Sequence, residues 1–261
     1  MEKGQYRLPA MVLGRTNYGE ADLIVTFFTR EQGKIGGLAK HGRKSRKRFG
    51  NILSSLALVK LEFTASPGRD LVRLDRGELV RSFEAVAQDL NRLALASYAL
   101  ELVDAFCAPL DPAPMVFDLL IWFLDRLDAG VRPQEDAFIF KLRFLNQTGF
   151  GPNVSACPLC GRSTHEGQPL AMKPEHGGVV CQDCSPSGFP VSMGTLKLMD
   201  LALILELEKI NRVRVSARVL EETELFLRAY ITYTLGRELK SVQFMDQLEK
   251  NRPLFKPASS K

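Results

Sequence analysis

The chain has 261 residues, 45% hydrophobic and 25% charged, with 35 Lys+Arg against 30 Asp+Glu. It is long enough to bury a substantial core in one to three domains. No stretch approaches 18 uncharged apolar residues, since even Leu198–Leu207 holds Asp200 and Glu206, and MEKGQYRLPA at the start has no apolar signal segment, so the composition excludes a spanning helix and predicts an intracellular chain with reduced thiols.

Residues 1–82 predict β-structure. Tyr6–Arg15 reads as a strand, TNYGE (16–20) as a turn, and Asp22–Thr29 (DLIVTFFT) as a strand rich in β-branched and aromatic residues. REQGK (30–34) turns into Ile35–Ala39. In Leu56–Thr64, Val59, Leu61 and Phe63 alternate with Leu58, Lys60, Glu62 and Thr64. SPGRD (66–70) turns into a fifth strand from Leu71. Five short strands predict a small barrel.

Between the third and fourth strands lies a basic run. Lys40, Arg43, Lys44, Arg46, Lys47 and Arg48 are six cations in nine residues, and Arg30 to Arg48 carries a net +7, so the rest of the chain sums to −2. A local patch of one sign concentrates a polyanion and speeds encounter with it. Its place between strands favours a binding role over a solvated tail. Gly37-x-x-x-x-Gly42-Arg43-Lys44-Ser45 is no P-loop, because Arg43 intervenes and no βαβ pattern surrounds it.

Residues 83–150 predict helices at Phe83–Phe106, Met115–Leu127 and Glu135–Thr148, with Trp122 in the core and Cys107 a small buried hydrophobe. Residues 151–190 lose the periodic pattern. Helices return at Ser192–Ile210 and at Ser216–Arg237, which Ser216 is placed to cap. The tail 251–261 is expected to be loose. The expected organisation is therefore a barrel (1–82), a helical domain in two parts (83–150 and 191–250), a cysteine module between them (151–190) and the tail.

That module holds Cys157-Pro158-Leu159-Cys160 and Cys181-Gln182-Asp183-Cys184, 20 residues apart. Two such knuckles complete a tetrahedral site for one structural Zn²⁺. A disulfide pair does not suit a reducing compartment. A catalytic zinc needs an open position, and a nucleobase deaminase needs an H-x-E that the chain lacks. His165 and His176 lie between the knuckles and are expected to be loop residues. With His41 they are the only histidines, which leaves little scope for histidine-centred acid–base chemistry.

Barrel, basic run, helical domain, four-cysteine insert and helical return follow in that order. AMVLGRTNYGEADLIVTFFTREQGKIGGLAKHGRKSRKRFG (10–50), CPLC…CQDC (157–184) and LRAYITYTLGRELKS (227–241) resemble the bacterial RecO family of DNA repair and recombination mediators. The resemblance implies an α+β chain with an N-terminal OB-fold and a non-enzymatic role in the RecF pathway. It implies binding of single- and double-stranded DNA, annealing of complementary strands, and help for RecA in replacing single-strand-binding protein. It implies RecR and the C-terminal tail of single-strand-binding protein as partners, and a cytoplasmic, nucleoid-associated location. Lys34, Lys40, Arg43, Lys44, Arg46, Lys47 and Arg48 are then expected to contact phosphates, and Tyr18 and Phe49 to stack on bases. Arg126, Arg132, Lys141 and Arg143 are expected to rim the tail's docking site. Two rivals are an RNA-binding OB-fold and zinc-ribbon protein, which phosphate contacts alone do not distinguish, and a zinc hydrolase, against which the missing open ligand argues.

Overall fold

The structure, a computed structural model, describes residues 1–45, 48–49, 52–164, 169–210 and 213–250. Arg46, Lys47, His165 and the tail 251–261 lie outside the described residues.

Strands β1 (Gly4–Tyr18), β2 (Asp22–Thr29), β3 (Gly33–Ala39), β4 (Ala57–Ala65) and β5 (Leu71–Ser82) close into a barrel in the order β1-β2-β3-β5-β4. All pairings are antiparallel except β3 with β5, where Gly36, Gly37 and Leu38 face Leu71, Val72 and Arg73. This closure needs residues without side chains. A Cβ on Gly37 would stand 2.3 Å from Leu74 Cδ2, and one on Gly36 would stand 2.7 Å from Leu71 Cδ2. The topology is that of an OB-fold.

The alternation read in β4 holds, since Val59, Leu61 and Phe63 fill the barrel. Alternation fails where both faces are covered. In β1, Ala10 and Val12 point into the barrel while Met11 and Leu13 join the helical core. A register shift between Val12 and Gly14 re-aims the strand there. Phe27 and Phe28 divide in the same way: Phe27 lies in the barrel, and Phe28 lies against Phe117 with ring centroids 6.0 Å apart.

Helices α1 (Glu84–Ala87), α2 (Leu90–Phe106), α3 (Pro114–Ala129) and α4 (Pro133–Gln147) follow the barrel. The single helix expected over Phe83–Phe106 is broken, because the Asp89 carboxylate accepts from the backbone N–H of Asn91 (2.9 Å) and Arg92 (3.1 Å) and starts α2 afresh. Pro114 and Pro133 open α3 and α4. Trp122 is only partly buried, at the edge of the core. Cys107 is buried, and burial pushes its thiol up to about 11.

Strands β6 (Leu170–Lys173), β7 (Gly178–Cys181) and β8 (Phe189–Pro190) form a small sheet in the order β7-β6-β8. Helices α5 (Met193–Ile204), α6 (Leu207–Ile210), α7 (Ala217–Leu235) and α8 (Lys240–Lys250) complete the chain. Ser192 and Ser216 cap α5 and α7. The cysteine module is no isolated insert: Val154, Leu170, Met172, Val179 and Val180 belong to the same core cluster as α2–α5 and α7.

Candidate nucleic-acid interface and metal centre

The basic loop leaves β3 at Ala39 through a tight, well-anchored root. His41 takes a left-handed φ of 56°, and its N–H donates to Asp22 Oδ1 at 2.7 Å. Gly42 N donates to Ala39 O (3.0 Å) and Arg43 N to Ala21 O (3.1 Å). Lys40, Arg43 and Lys44 stand exposed on this frame. The exposed Arg43 guanidinium gives one of its five donors to Glu20 O at 3.1 Å, which ties it to the β1–β2 turn. Arg48 is half-buried, donates to Lys40 O and to Ser45 Oγ (3.3 Å), and lies 5.0 Å from the Phe49 ring centroid. It ties the far end of the loop to its root.

Two expected contacts are corrected. Phe49 is 1% exposed and belongs to the barrel core, so it offers no face to a base. Its aromatic bulk packs in the barrel's core cluster, where burial outweighs display. Lys34 points the other way, onto the helical domain. Its Nζ lies 3.2 Å from the Asp104 carboxylate and donates to the Asp104 carbonyl. Tyr18 is 54% exposed at the end of β1, where a base can reach it.

The fold adds cations that the sequence kept apart. Arg15 on β1, and Arg69 and Arg73 around the β4–β5 turn, are exposed on the loop's side of the barrel. Arg15 and Arg43 line one cleft of about 390 Å³, with Asn17. Lys40, Arg69 and Arg73 line another of about 710 Å³. Nothing in a linear run announces them. Only the barrel brings residues 15, 43, 69 and 73 to one end.

The four cysteines meet. The Sγ atoms of Cys157, Cys160, Cys181 and Cys184 all lie within 4.8 Å of one another, with Cys160 and Cys181 at 3.7 Å. A tetrahedral zinc with sulfur at about 2.3 Å sets its ligands about 3.8 Å apart, so the cluster has the right size. In the first knuckle, Cys157 N donates to Arg162 O (2.9 Å) and Gly161 N to Cys157 O (2.8 Å). In the second, the Cys184 and Ser185 N–H groups both donate to Cys181 O at 3.1 Å. Arg162 and Asp183 pair across the two turns at 2.7 Å.

The thiol chemistry fits a cation. Burial alone pushes the Cys157 thiol up, but hydrogen bonds from the Cys181, Cys160 and Leu159 backbone outweigh it and bring it to about 6. The neighbouring Cys181 and Cys160 thiols push Cys184 up to about 12. Four sulfurs this close hold several negative charges only around a positive ion. Among the described residues this is the one group of His, Cys, Asp or Glu placed to hold a metal. His176, on a short 3₁₀ turn, is not part of it.

The comparisons agree with this architecture. Residues 1–83 match the family model described as "Recombination protein O N terminal", and residues 87–243 match "Recombination protein O C terminal". The chain belongs to the RecO family. Its relatives include "DNA repair protein RecO" of Syntrophus aciditrophicus (32% identical, covering 95% of this chain and 98% of the relative), of Anaeromyxobacter sp. strain K (34%, 93% and 96%) and of Symbiobacterium thermophilum (32%, 95% and 99%). RecO is a family of DNA repair and recombination proteins, and the α+β layout of barrel, helices and cysteine cluster fits it.

For this RecO-family chain the helical-domain cations need a second correction. Arg126 pairs with buried Asp136 at 3.0 Å, and Arg132 pairs with Glu135 and donates to Val213 O. Lys141 is buried between Glu224 and the Tyr98 ring. Arg143 donates to Ala202 O and Leu205 O. All four hold helices together and none forms a free cationic rim. Among the described residues no helix is long and apolar enough to cross a membrane.

Proposed function

We propose that this chain is a non-catalytic, DNA-binding mediator of recombination in the RecF pathway. It binds single- and double-stranded DNA through the loop end of its barrel and anneals complementary strands. With RecR, and by engaging the C-terminal tail of single-strand-binding protein, it helps RecA onto coated DNA, which makes it a cytoplasmic protein of the nucleoid. The observation that carries the binding role is the anchored loop at the barrel end. Lys40, Arg43 and Lys44 project from it, Arg15, Arg69 and Arg73 flank it, and the exposed Tyr18 offers a stacking face. One zinc ion on Cys157, Cys160, Cys181 and Cys184 is structural in this reading: four thiolates complete its shell, and the buried Cys157 and Cys181 join it to the helical core.

A strand-annealing assay with and without single-strand-binding protein tests the proposal. Complementary oligonucleotides coated with that protein should anneal faster with this chain present, and RecR should be needed for RecA exchange. Annealing no faster than the uncatalysed rate, with bare and coated strands alike, would refute it.

A further inference from the structure

The loop root separates two clefts rather than lining one. Among the described residues the 390 Å³ cleft and the 710 Å³ cleft share no lining residue. Lys40 lines the second and Arg43 the first, although they stand only three positions apart. The left-handed turn at His41, pinned to Asp22, sends the chain in a new direction between the two cations. Gly42 packs tightly under this turn, since a Cβ there would stand 2.9 Å from Ala39 Cβ. The divide is therefore a fixed feature of the barrel end.

The two clefts differ in chemistry. Arg15, Asn17 and Arg43 line the first, with Ser54. That set offers phosphate contacts and an amide for a base edge. The second presents Lys40, Arg69 and Arg73 with Ser66 and Thr64. Asp70 lines it too, and Asp75 pairs with Arg73 at 3.0 Å and accepts from the Thr64 hydroxyl. Among the described residues no aromatic side chain lines it. It suits a sugar–phosphate backbone and no base. A single strand repeats one chemistry along its length and has no need of two unlike clefts. Two strands about to pair have such a need, because two polyanions must approach each other. A wall of cations between them, Lys40 to Lys44, neutralises both.

Resting on the nucleic-acid reading above, we infer that the barrel holds two DNA strands at once. The Arg15–Arg43 cleft takes a single strand with its bases engaged, and the Lys40–Arg69–Arg73 cleft takes the backbone of a second. Annealing then joins strands already held side by side.

Binding stoichiometry of the full chain tests this. The probe is a fluorescent oligothymidine about eight nucleotides long, inside the roughly 4–16 that one OB-fold accommodates. Wild type should bind two per chain. R15A/R43A and R69A/R73A should each bind one, with annealing slowed about tenfold or more in both, a loss worth about 1.4 kcal/mol. Thermal melting checks that both variants fold. R69K/R73K, which keeps the charge, should restore the second strand if an alanine variant is damaged. One probe per wild-type chain, with both pairs weakening that single event, would mean one strand crossing both clefts and would overturn the inference while leaving the DNA-binding reading intact. No probe bound by wild type would overturn both.

Discussion

Lys34 Nζ lies 3.2 Å from the Asp104 carboxylate and donates to the Asp104 carbonyl as well, so a lysine close in sequence to the basic loop serves the barrel–helix seam. The seam continues close by. Leu110 N donates to Lys34 O at 2.9 Å, and Arg30 pairs with Asp118 at 3.0 Å. Lys34→Ala should lower stability by about 1 kcal/mol, because a half-shielded ion pair and a hydrogen bond disappear together. DNA affinity should stay at the wild-type level. Denaturant melts paired with a DNA titration separate the two effects, and a selective loss of affinity would return Lys34 to the binding surface.

Gly33 makes the same seam unforgiving. Its φ is +65°, and a Cβ there would fall 2.0 Å from the Asp111 carbonyl oxygen. Gly33→Ala must therefore both strain its own backbone and push the α2–α3 connection away. The expected cost exceeds about 2 kcal/mol, beyond the usual left-handed penalty of about 1–2 kcal/mol. A melting curve within about a degree of wild type would show that the connection yields.

The loop cations should act through charge alone. Replacing Lys40, Arg43 and Lys44 together with alanine should flatten the plot of log K against log salt by about 2, because each phosphate neutralised on a single strand adds about 0.7 to the slope. All sequences should weaken alike, because phosphates carry no sequence information. Stability should hardly change, since none of the three is buried. An unaltered slope would make the exposed loop a solvated one.

The metal prediction follows from where the sulfurs sit. Purified chain should carry one zinc, and chelation should lower its melting temperature. Cys181→Ser should cost more than Cys184→Ser. Cys181 is buried in the shared core beside Val179 and Val180, while Cys184 is exposed and its replacement leaves three sulfur ligands and room for water. Metal analysis with calorimetry reads both, and equal melting of the two variants would argue that the knuckles are not coupled to the core.

What the sequence disclosed depended on how local the signal was. The strands of the barrel, the cap Ser216 and the four cysteines are short-range patterns, and they appear where their residues predict. Phe49 and Lys34 misled for the same reason: a basic or aromatic residue near a cationic run looks like part of it, and only the closed barrel shows that one faces inward and the other toward α2. The helix α8 escaped notice because its cap comes from far away. Glu101 accepts from the N–H groups of Lys240 (2.9 Å) and Ser241 (2.8 Å) and from the Ser241 hydroxyl (2.7 Å), across 140 residues of chain. Arg15, Arg69 and Arg73 were equally invisible as a set, because scattered arginines on strands and turns read as solvated faces until the strands are joined.

A carboxylate in the helical domain should give the protein an acid-sensitive step. Glu222 on α7 accepts from Ser192 N (3.1 Å), from the Thr195 hydroxyl (2.6 Å) and from Arg218 (3.0 Å), and so fastens the start of α5 to α7. Partial burial works against its charge. The hydrogen bonds from Thr195 and Ser192, with Arg218, outweigh that and hold the carboxyl at about 2 against an ordinary 4.5. The folded value lies below the unfolded one, so folding favours the deprotonated form. Its contribution is complete above the ordinary value of 4.5 and drains away as the pH falls toward 2. Glu222→Gln should cost about 1–3 kcal/mol at neutral pH, as charged hydrogen bonds do when one partner is removed. Its penalty should shrink as the solution is acidified, because the wild-type carboxyl loses the same charge. Urea melts of both proteins at neutral pH and under acid conditions measure this, and a penalty independent of pH would show that the Glu222 contacts matter for their shape and not for their charge.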